Sequence, residues 1–150
     1  MKKTIDSNNG VVRFSFKDPI HILEASKKKE SLIFLHFSYG RRFKYSTGYK
    51  SCFENWDFDK QKIKETKSNI INAIEVNEFL SKLENVIKKE YSRLIAEQAV
   101  VTNVLLKNFL DNSLSEIYIN SLLNFSLVWN SGIGFGLLQI EPNIFYLTVS

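Results

Sequence analysis

The sequence predicts an α+β fold in which a small three-stranded antiparallel sheet is followed by an α-helical segment. Two observations support this prediction. Between residues 11 and 47, apolar side chains alternate with polar ones, which is the period of half-buried strands. From Asn69 onward, apolar residues recur every three or four positions, which is the period of an amphipathic helix.

The first predicted strand runs from Val11 to Lys17 and has one apolar and one basic side. A second strand spans residues 31–39 and a third spans residues 41–47, with a turn at Gly40-Arg41 and an end at Gly48. If the apolar sides of all three strands lie together, the opposite side collects Arg13, Ser15, Lys17, His36, Ser38, Arg42, Lys44 and Ser46.

A sheet of this size needs a cover on its apolar side. Residues 49–67 are the nearest candidates, because they contain Phe53, Trp56, Phe58 and Ile63. Strand alternation also predicts that Tyr39, Phe43, Tyr45 and Trp56 belong to the sheet core and are not stacking platforms for single-stranded nucleic acid.

The helical pattern predicts one amphipathic helix from about Val76 to Glu97, preceded by a further helical stretch. Thr102 is expected to cap a second, shorter helix that ends near Asn112. A short turn at residues 99–101 would make the two helices antiparallel.

The composition excludes several classes of protein. Of the 150 residues, 44% are hydrophobic, which excludes an intrinsically disordered or collagen-like chain. Cys52 is the single cysteine, so neither an intrachain disulfide nor a cysteine-based zinc site can form. No apolar stretch of the secretory kind follows the N-terminus, so we expect a cytoplasmic protein.

Charge is distributed unevenly along the chain, whose net charge is +4. Residues 1–67 hold 15 Lys and Arg against 8 Asp and Glu, residues 68–111 hold 5 against 6, and residues 112–150 hold none against 2. The three segments therefore carry +7, −1 and −2. The basic first segment would attract a polyanion such as DNA. A basic surface that only keeps the segment soluble is the alternative, and it would have the same net charge.

Three short motifs follow one another along the basic segment. They are the hairpin at residues 32–48 with its Ser46-Thr47-Gly48 end, the Asn55-Trp56-Asp57 motif and the Gln61-Lys62-Ile63-Lys64 motif. In this order they resemble the arm-type DNA-binding domain of Bacteroidetes tyrosine recombinases, the phage-integrase family. Residues 76–111 resemble the opening of the SAM-like core-binding domain that follows in those proteins. The resemblance implies three parts: an arm domain over residues 1–67, a partial SAM-like domain or incomplete helical bundle over 68–111, and a divergent tail over 112–150.

The resemblance also implies that the sheet lays its polar side in the major groove of double-stranded DNA, where a ribbon of this width fits. Arg42 and Lys44 are the first candidates for DNA contact, followed by Arg13 and Lys17. Ser46, Ser38 and His36 are candidate hydrogen-bonding neighbours, and Arg41 lies in the turn. An ordinary solvent-facing sheet surface is the alternative.

The catalytic domain of those recombinases is not expected in this chain. Their strand exchange uses a tyrosine nucleophile supported by arginines, a lysine and histidines. Neither His21 nor His36 begins a His-x-x-Arg motif, and Tyr118 and Tyr146 lie in a segment without Lys, Arg or His. Metal-ligand spacing and phosphate-binding glycine loops are also lacking, so no catalytic residue, metal, cofactor or small-molecule substrate is expected.

The last segment departs from the recombinase pattern, because residues 117–140 form a run of 24 residues without a charge. Polar residues and three glycines interrupt this run, and no basic residue flanks it, so a membrane helix is not expected. The sequence instead favours a divergent tail of a truncated or frameshifted gene.

Three functions stay open at this point. The leading hypothesis is a double-stranded DNA-binding protein related to the N-terminal half of a tyrosine site-specific recombinase and lacking catalysis. A protein-interaction or assembly module is the second. The third is one piece of a split recombinase, with other recombinase subunits as partners.

Overall fold

The computed structural model describes residues 9–129, and the side chains of residues 9–116. The elements in chain order are β1 (Val11–Phe16), α1 (Ile20–Ala25), β2 (Glu30–Ser38), β3 (Arg42–Cys52), β4 (Trp56–Asp57), β5 (Lys62–Ile63), α2 (Ile70–Ala96) and α3 (Asn103–Trp129). The predicted α+β class is confirmed, because a three-stranded antiparallel sheet is followed by helices.

The sheet has the strand order β1-β2-β3, so the second strand lies in the centre. Ser38 at the end of β2 lies opposite both Val11 of β1 and Arg42 of β3. The connection between β2 and β3 is the three-residue turn Tyr39-Gly40-Arg41. Gly40 adopts φ +85°, a conformation that only glycine takes without strain, and the predicted turn is confirmed.

The predicted end of the third strand at Gly48 is wrong, because β3 continues to Cys52. Pairing shifts between Leu32 and Phe34 of β2, which lie opposite Lys50 and Ser46, so β3 carries two extra residues there. Gly48 lies in this bulge with φ +79°. The Thr47 hydroxyl fixes the bulge by donating to the carbonyl of Ile33 at 2.8 Å and accepting from the Tyr49 N–H at 3.2 Å.

The apolar side of the sheet forms the core together with α2 and the small β4–β5 hairpin. Phe37 meets Tyr91 of α2 edge to face at 5.1 Å between ring centroids, and Phe16 meets Trp56 at 5.2 Å. The fully buried side chains include Ile33, Leu35, Leu80, Leu83 and Ile87. Residues 49–67 thus supply part of the expected cover, and α2 supplies the rest.

Asn77 of α2 joins this helix to the β4–β5 hairpin. Its side chain accepts from the N–H of Ile63 at 2.8 Å and donates to the carbonyl of the same residue at 2.9 Å. The amide therefore pairs with β5 as another strand would. Trp56 and Ile63 are buried by this packing, whereas Phe58 stays 40% exposed.

Helix α1 is an element that the periodicity does not predict. It has six residues, begins after Pro19 and buries only Leu23. A single buried position in so short a helix leaves no repeat to detect. Pro19 suits the start of a helix, because its missing N–H is not needed there.

The helical segment agrees with the prediction at its start and differs at its end. Helix α2 is one continuous helix that includes the expected residues 76–97 up to Ala96, together with the preceding stretch. Thr102 caps α3 as predicted, since its hydroxyl accepts from the N–H of Leu105 at 3.2 Å. The predicted end near Asn112 is wrong, because α3 continues to Trp129. The stretch after Asn112 has no Lys or Arg, but it also contains no glycine or proline before Gly132, and those are the residues that stop helices.

The chain divides into two compact units, one reaching Leu110 and one beginning at Asp111. Residues 130–150, which hold most of the predicted divergent tail, lie outside the described residues. The division of residues 1–111 into an arm domain and a partial SAM-like domain stays a prediction. Within the described part of the chain, no helix is long and apolar enough to span a membrane.

One feature protects the outer edge of β1. The N–H of Phe14 points away from β2 and donates to the side-chain oxygen of Gln61 at 2.8 Å. Gln61 reaches this position from the turn between β4 and β5, where it adopts φ +52°. A side chain therefore occupies the middle of this strand edge.

Candidate nucleic-acid interface

The side of the sheet that faces away from the core, called the polar face below, is built from rows of residues that lie directly opposite one another. Residues opposite each other in antiparallel strands share one face of the sheet. The register places the predicted residues in three such rows: Val11, Ser38 and Arg42; Arg13, His36 and Lys44; and Ser15, Phe34 and Ser46. The structure thus brings together the predicted residues of all three strands.

A fourth row extends the polar face beyond the prediction. Lys17 continues the ladder past the end of β1, since its N–H donates to the carbonyl of Leu32 at 2.8 Å. Leu32 lies opposite Lys50 of β3, so Lys17 and Lys50 flank the central strand in the same row. The sequence pattern does not reveal Lys50, because Gly48 predicts the end of the strand. Arg41, the remaining predicted residue, lies exposed in the β2–β3 turn.

The basic side chains of the polar face are exposed and carry their charge into solvent. Arg13, Lys17, Arg42, Lys44 and Lys50 are all exposed. Among the side chains of residues 9–116, none of these five forms a salt bridge. The three rows from Val11 to Ser46 contain no acidic residue, and Glu30 lies at the far end of β2, opposite Cys52. This charge is therefore available to an anionic partner.

His36 occupies the centre of the polar face. Its Nε2 lies 2.7 Å from the Ser15 hydroxyl, which stands on the neighbouring strand. Partial burial lowers the pKa of His36 below its ordinary value of 6.5, and the positive charges of Lys44 and Arg42 lower it further. The ring is therefore neutral near pH 7 and offers one hydrogen-bond donor and one acceptor.

Phe34 is an aromatic residue on the polar face. The Lys44 Nζ lies 4.3 Å from the centroid of the Phe34 ring, which is a cation–π contact across two strands. The contact restrains the long Lys44 side chain without neutralising its charge. Lys44 is therefore held in place while it stays exposed.

The aromatic residues behind the polar face belong to the core, as predicted for Phe43 and Trp56, which are 3% and 2% exposed. Tyr39 and Tyr45 are half-buried and stack on Phe37 and Phe43, with ring centroids 6.1 and 6.2 Å apart. These rings support the three strands from the apolar side, and they do not reach the polar face.

The dimensions of the polar face suit a DNA groove. Strands lie about 4.8 Å apart in a sheet, so β1 and β3 are separated by about 10 Å. The major groove of B-DNA is about 12 Å wide and admits a β-ribbon. Among residues 9–116, by contrast, no group of three His, Cys, Asp or Glu side chains lies close enough to hold a metal ion.

A small antiparallel sheet with one packed face and one exposed, cationic face is the architecture of a β-sheet DNA-binding module. The comparison with family models agrees: the chain belongs to the arm DNA-binding domain family, whose model matches residues 23–107, more than half of the chain. Membership gives it a DNA-binding role related to the N-termini of tyrosine recombinases and integrases. The comparison finds this domain and detects no catalytic domain. Neither the curated proteins nor the solved structures give a match.

Proposed function

We propose that the chain binds double-stranded DNA by laying the polar face of its sheet in the major groove, as the DNA-recognition part of a tyrosine site-specific recombinase system. The observation that carries the proposal is the row Arg13, His36 and Lys44, next to Arg42 on a stretch of sheet without acidic residues. Double-stranded DNA is the proposed partner. It agrees with the cytoplasmic location that the sequence predicts.

The distribution of charge across the three strands supports this geometry. The outer strands carry the cations, Arg13 and Lys17 along β1 and Arg42, Lys44 and Lys50 on β3. The central strand presents uncharged side chains at the same rows, among them His36 and Ser38. Cations on the outer strands would meet the phosphates that border the groove, and the central strand would meet base edges.

The placement of tyrosines and arginines supports a role in recognition without strand-exchange chemistry. Tyr39 and Tyr45 stack on core residues, on the side of the sheet opposite Arg42. Arg93 is engaged by Glu90 at 2.6 Å and Glu97 at 2.7 Å. In this proposal, other recombinase subunits supply catalysis, whether the chain is a truncated relative that competes for arm sites or one piece of a split recombinase.

Binding of duplex DNA tests the proposal directly. The double variant Arg42→Ala/Lys44→Ala should bind DNA much more weakly at low salt than the wild-type protein. The plot of log affinity against log salt should flatten by about 2, because each lost phosphate contact removes close to one unit of slope. Fluorescence anisotropy with a labelled duplex at several salt concentrations measures both quantities.

A matched control removes the same net charge from another surface. Lys82 and Lys89 are exposed on α2, which packs on the apolar side of the sheet. The variant Lys82→Ala/Lys89→Ala should retain wild-type affinity and slope. Equal losses in the two double variants would mean that net charge, and not the polar face, governs binding, and absence of wild-type binding at low salt would refute the proposal.

A protein-assembly module is the second candidate, favoured by apolar side chains at the start of α2. Ile70, Ile71 and Ile74 are 46%, 81% and 42% exposed. Light scattering on the purified chain distinguishes the two candidates. A monodisperse monomer in the absence of DNA would contradict assembly, and a stable oligomer that Ile71→Lys dissociates would support it.

A further inference from the structure

Asn103, the first residue of α3, forms hydrogen bonds at the β2–β3 turn. The Tyr39 hydroxyl donates to the Asn103 side-chain oxygen at 2.5 Å, and the Asn103 side-chain nitrogen donates to the backbone carbonyl of Arg42 at 3.2 Å. One amide thus contacts the first residue of the three-residue turn and the residue that follows the turn. These contacts join residues 64 and 61 positions apart in the sequence.

Aromatic residues of the core restrain the same turn. The ring of Tyr39 stacks on Phe37 with an interplanar angle of 22°, and Phe37 in turn meets Tyr91 of α2. The Arg42 carbonyl is bound by Asn103, whereas its side chain stands exposed on the polar face. The backbone of Arg42 is therefore restrained without engaging its guanidinium.

We propose that Asn103 is a positioning residue for DNA binding, which holds the β2–β3 turn so that Arg41 and Arg42 are presented in place before DNA arrives. The inference rests on the proposed function of the polar face. Its physical basis is preorganisation, because a turn that is ordered in the free protein loses less conformational entropy on binding. Asn103, the first residue of α3, thereby acts on recognition through the turn.

The variant Asn103→Ala tests the proposal. It removes both hydrogen bonds, and we expect it to weaken binding of a labelled duplex about three- to tenfold, the loss that the net contribution of one or two hydrogen bonds produces. Tyr39→Phe removes only the hydroxyl and should weaken binding in the same direction. Asn108→Ala is the matched control, since Asn108 is exposed on the same helix, and it should bind like the wild-type protein.

A double-mutant cycle separates positioning from general destabilisation. If Asn103 acts through Arg41 and Arg42, Asn103→Ala should have little further effect in a protein that already carries Arg41→Ala/Arg42→Ala. The same fold-loss in both backgrounds would overturn the inference, and so would wild-type affinity of Asn103→Ala. If the wild-type protein itself fails to bind DNA, the proposed function is refuted and the inference with it. Should Asn103→Ala fail to fold, the cycle with Tyr39→Phe decides by the same criteria.

Discussion

His36 is a histidine held between positive charges, and its charge state decides what the centre of the polar face offers to DNA. Lys44 lies opposite it on β3, Arg13 opposite it on β1, and Ser15 bonds to its ring. A proton on this ring would add a third charge to the row. Because burial and the neighbouring cations lower the pKa of His36, the folded protein disfavours that proton.

The lowered pKa predicts a loss of stability as the pH falls through the weakly acidic range. Above the ordinary histidine pKa of 6.5, both the folded and unfolded states hold neutral His36. Below it, the unfolded chain binds a proton that the folded chain does not, so the free energy of unfolding should decrease until the folded pKa is reached. Urea denaturation between about pH 7.5 and pH 5.5 measures this decrease.

His36→Gln should flatten this pH dependence, because glutamine binds no proton in this pH range. The window lies above the ordinary glutamate pKa of 4.5, so the lowered pKa of Glu90, held by its hydrogen bond from Arg93, contributes at more acidic pH. An unchanged slope in His36→Gln would show that another group is responsible.

For individual residues, the sequence predicts the face of the sheet correctly where strand alternation alone decides it. Arg13, His36 and Lys44 could be assigned to one face because each alternates with apolar neighbours that need burial. Asn103 could not be found in this way, because its partners lie more than sixty positions away. Asn77 could not be found either, because a polar residue on a helix gives no signal of the strand with which it pairs.

At the scale of elements, the bulge in β3 shows how one glycine can be misinterpreted. A glycine after a run of alternating residues predicts a strand end. Here Gly48 instead supplies the positive φ that two extra residues require, and the Thr47 hydroxyl restores the hydrogen bonding. The strand resumes beyond it and brings Lys50 to the polar face.

Gly48→Ala should destabilise the protein by about 1 kcal/mol, because an L residue is strained in the left-handed conformation. No atom lies within 4 Å of the position that a Cβ would take, so steric clash does not contribute. Asn tolerates this conformation better, and Gly48→Asn should therefore lose less stability than Gly48→Ala. Equal unfolding midpoints in urea for both variants and the wild-type protein would contradict this account.

Long elements were easier to predict than short ones. Helix α2 has enough turns for its apolar period to stand out, whereas α1 buries only Leu23. The end of α3 was misplaced for a different reason. The loss of Lys and Arg after residue 111 does not mark the end of the helix, because backbone hydrogen bonding in a helix does not depend on charge.

At the scale of the whole molecule, the net charge of +4 conceals a strongly asymmetric distribution. The cations that carry the proposed function lie on one side of the sheet, and the core and α2 lie on the other. The unfolded chain does not form the rows of basic residues on the polar face, so DNA should bind the folded sheet alone. DNA binding should therefore stabilise the unit that ends at Leu110.

Duplex DNA should raise the melting temperature of the wild-type protein by several degrees. At a free DNA concentration of about 100 times Kd, binding contributes about 2.7 kcal/mol. The shift should shrink as salt increases and should disappear in Arg42→Ala/Lys44→Ala at the same DNA concentration. Scanning fluorimetry measures it, and a shift of equal size in that variant would contradict binding through the polar face.

Gln61 affects the pairing of sheets between two copies of this chain. A free strand edge can pair with the edge of a second molecule, which promotes aggregation. By accepting the hydrogen bond of the Phe14 N–H, Gln61 interrupts that edge in the middle of β1. The β1 edge is therefore a poor template for extending the sheet from one molecule into the next.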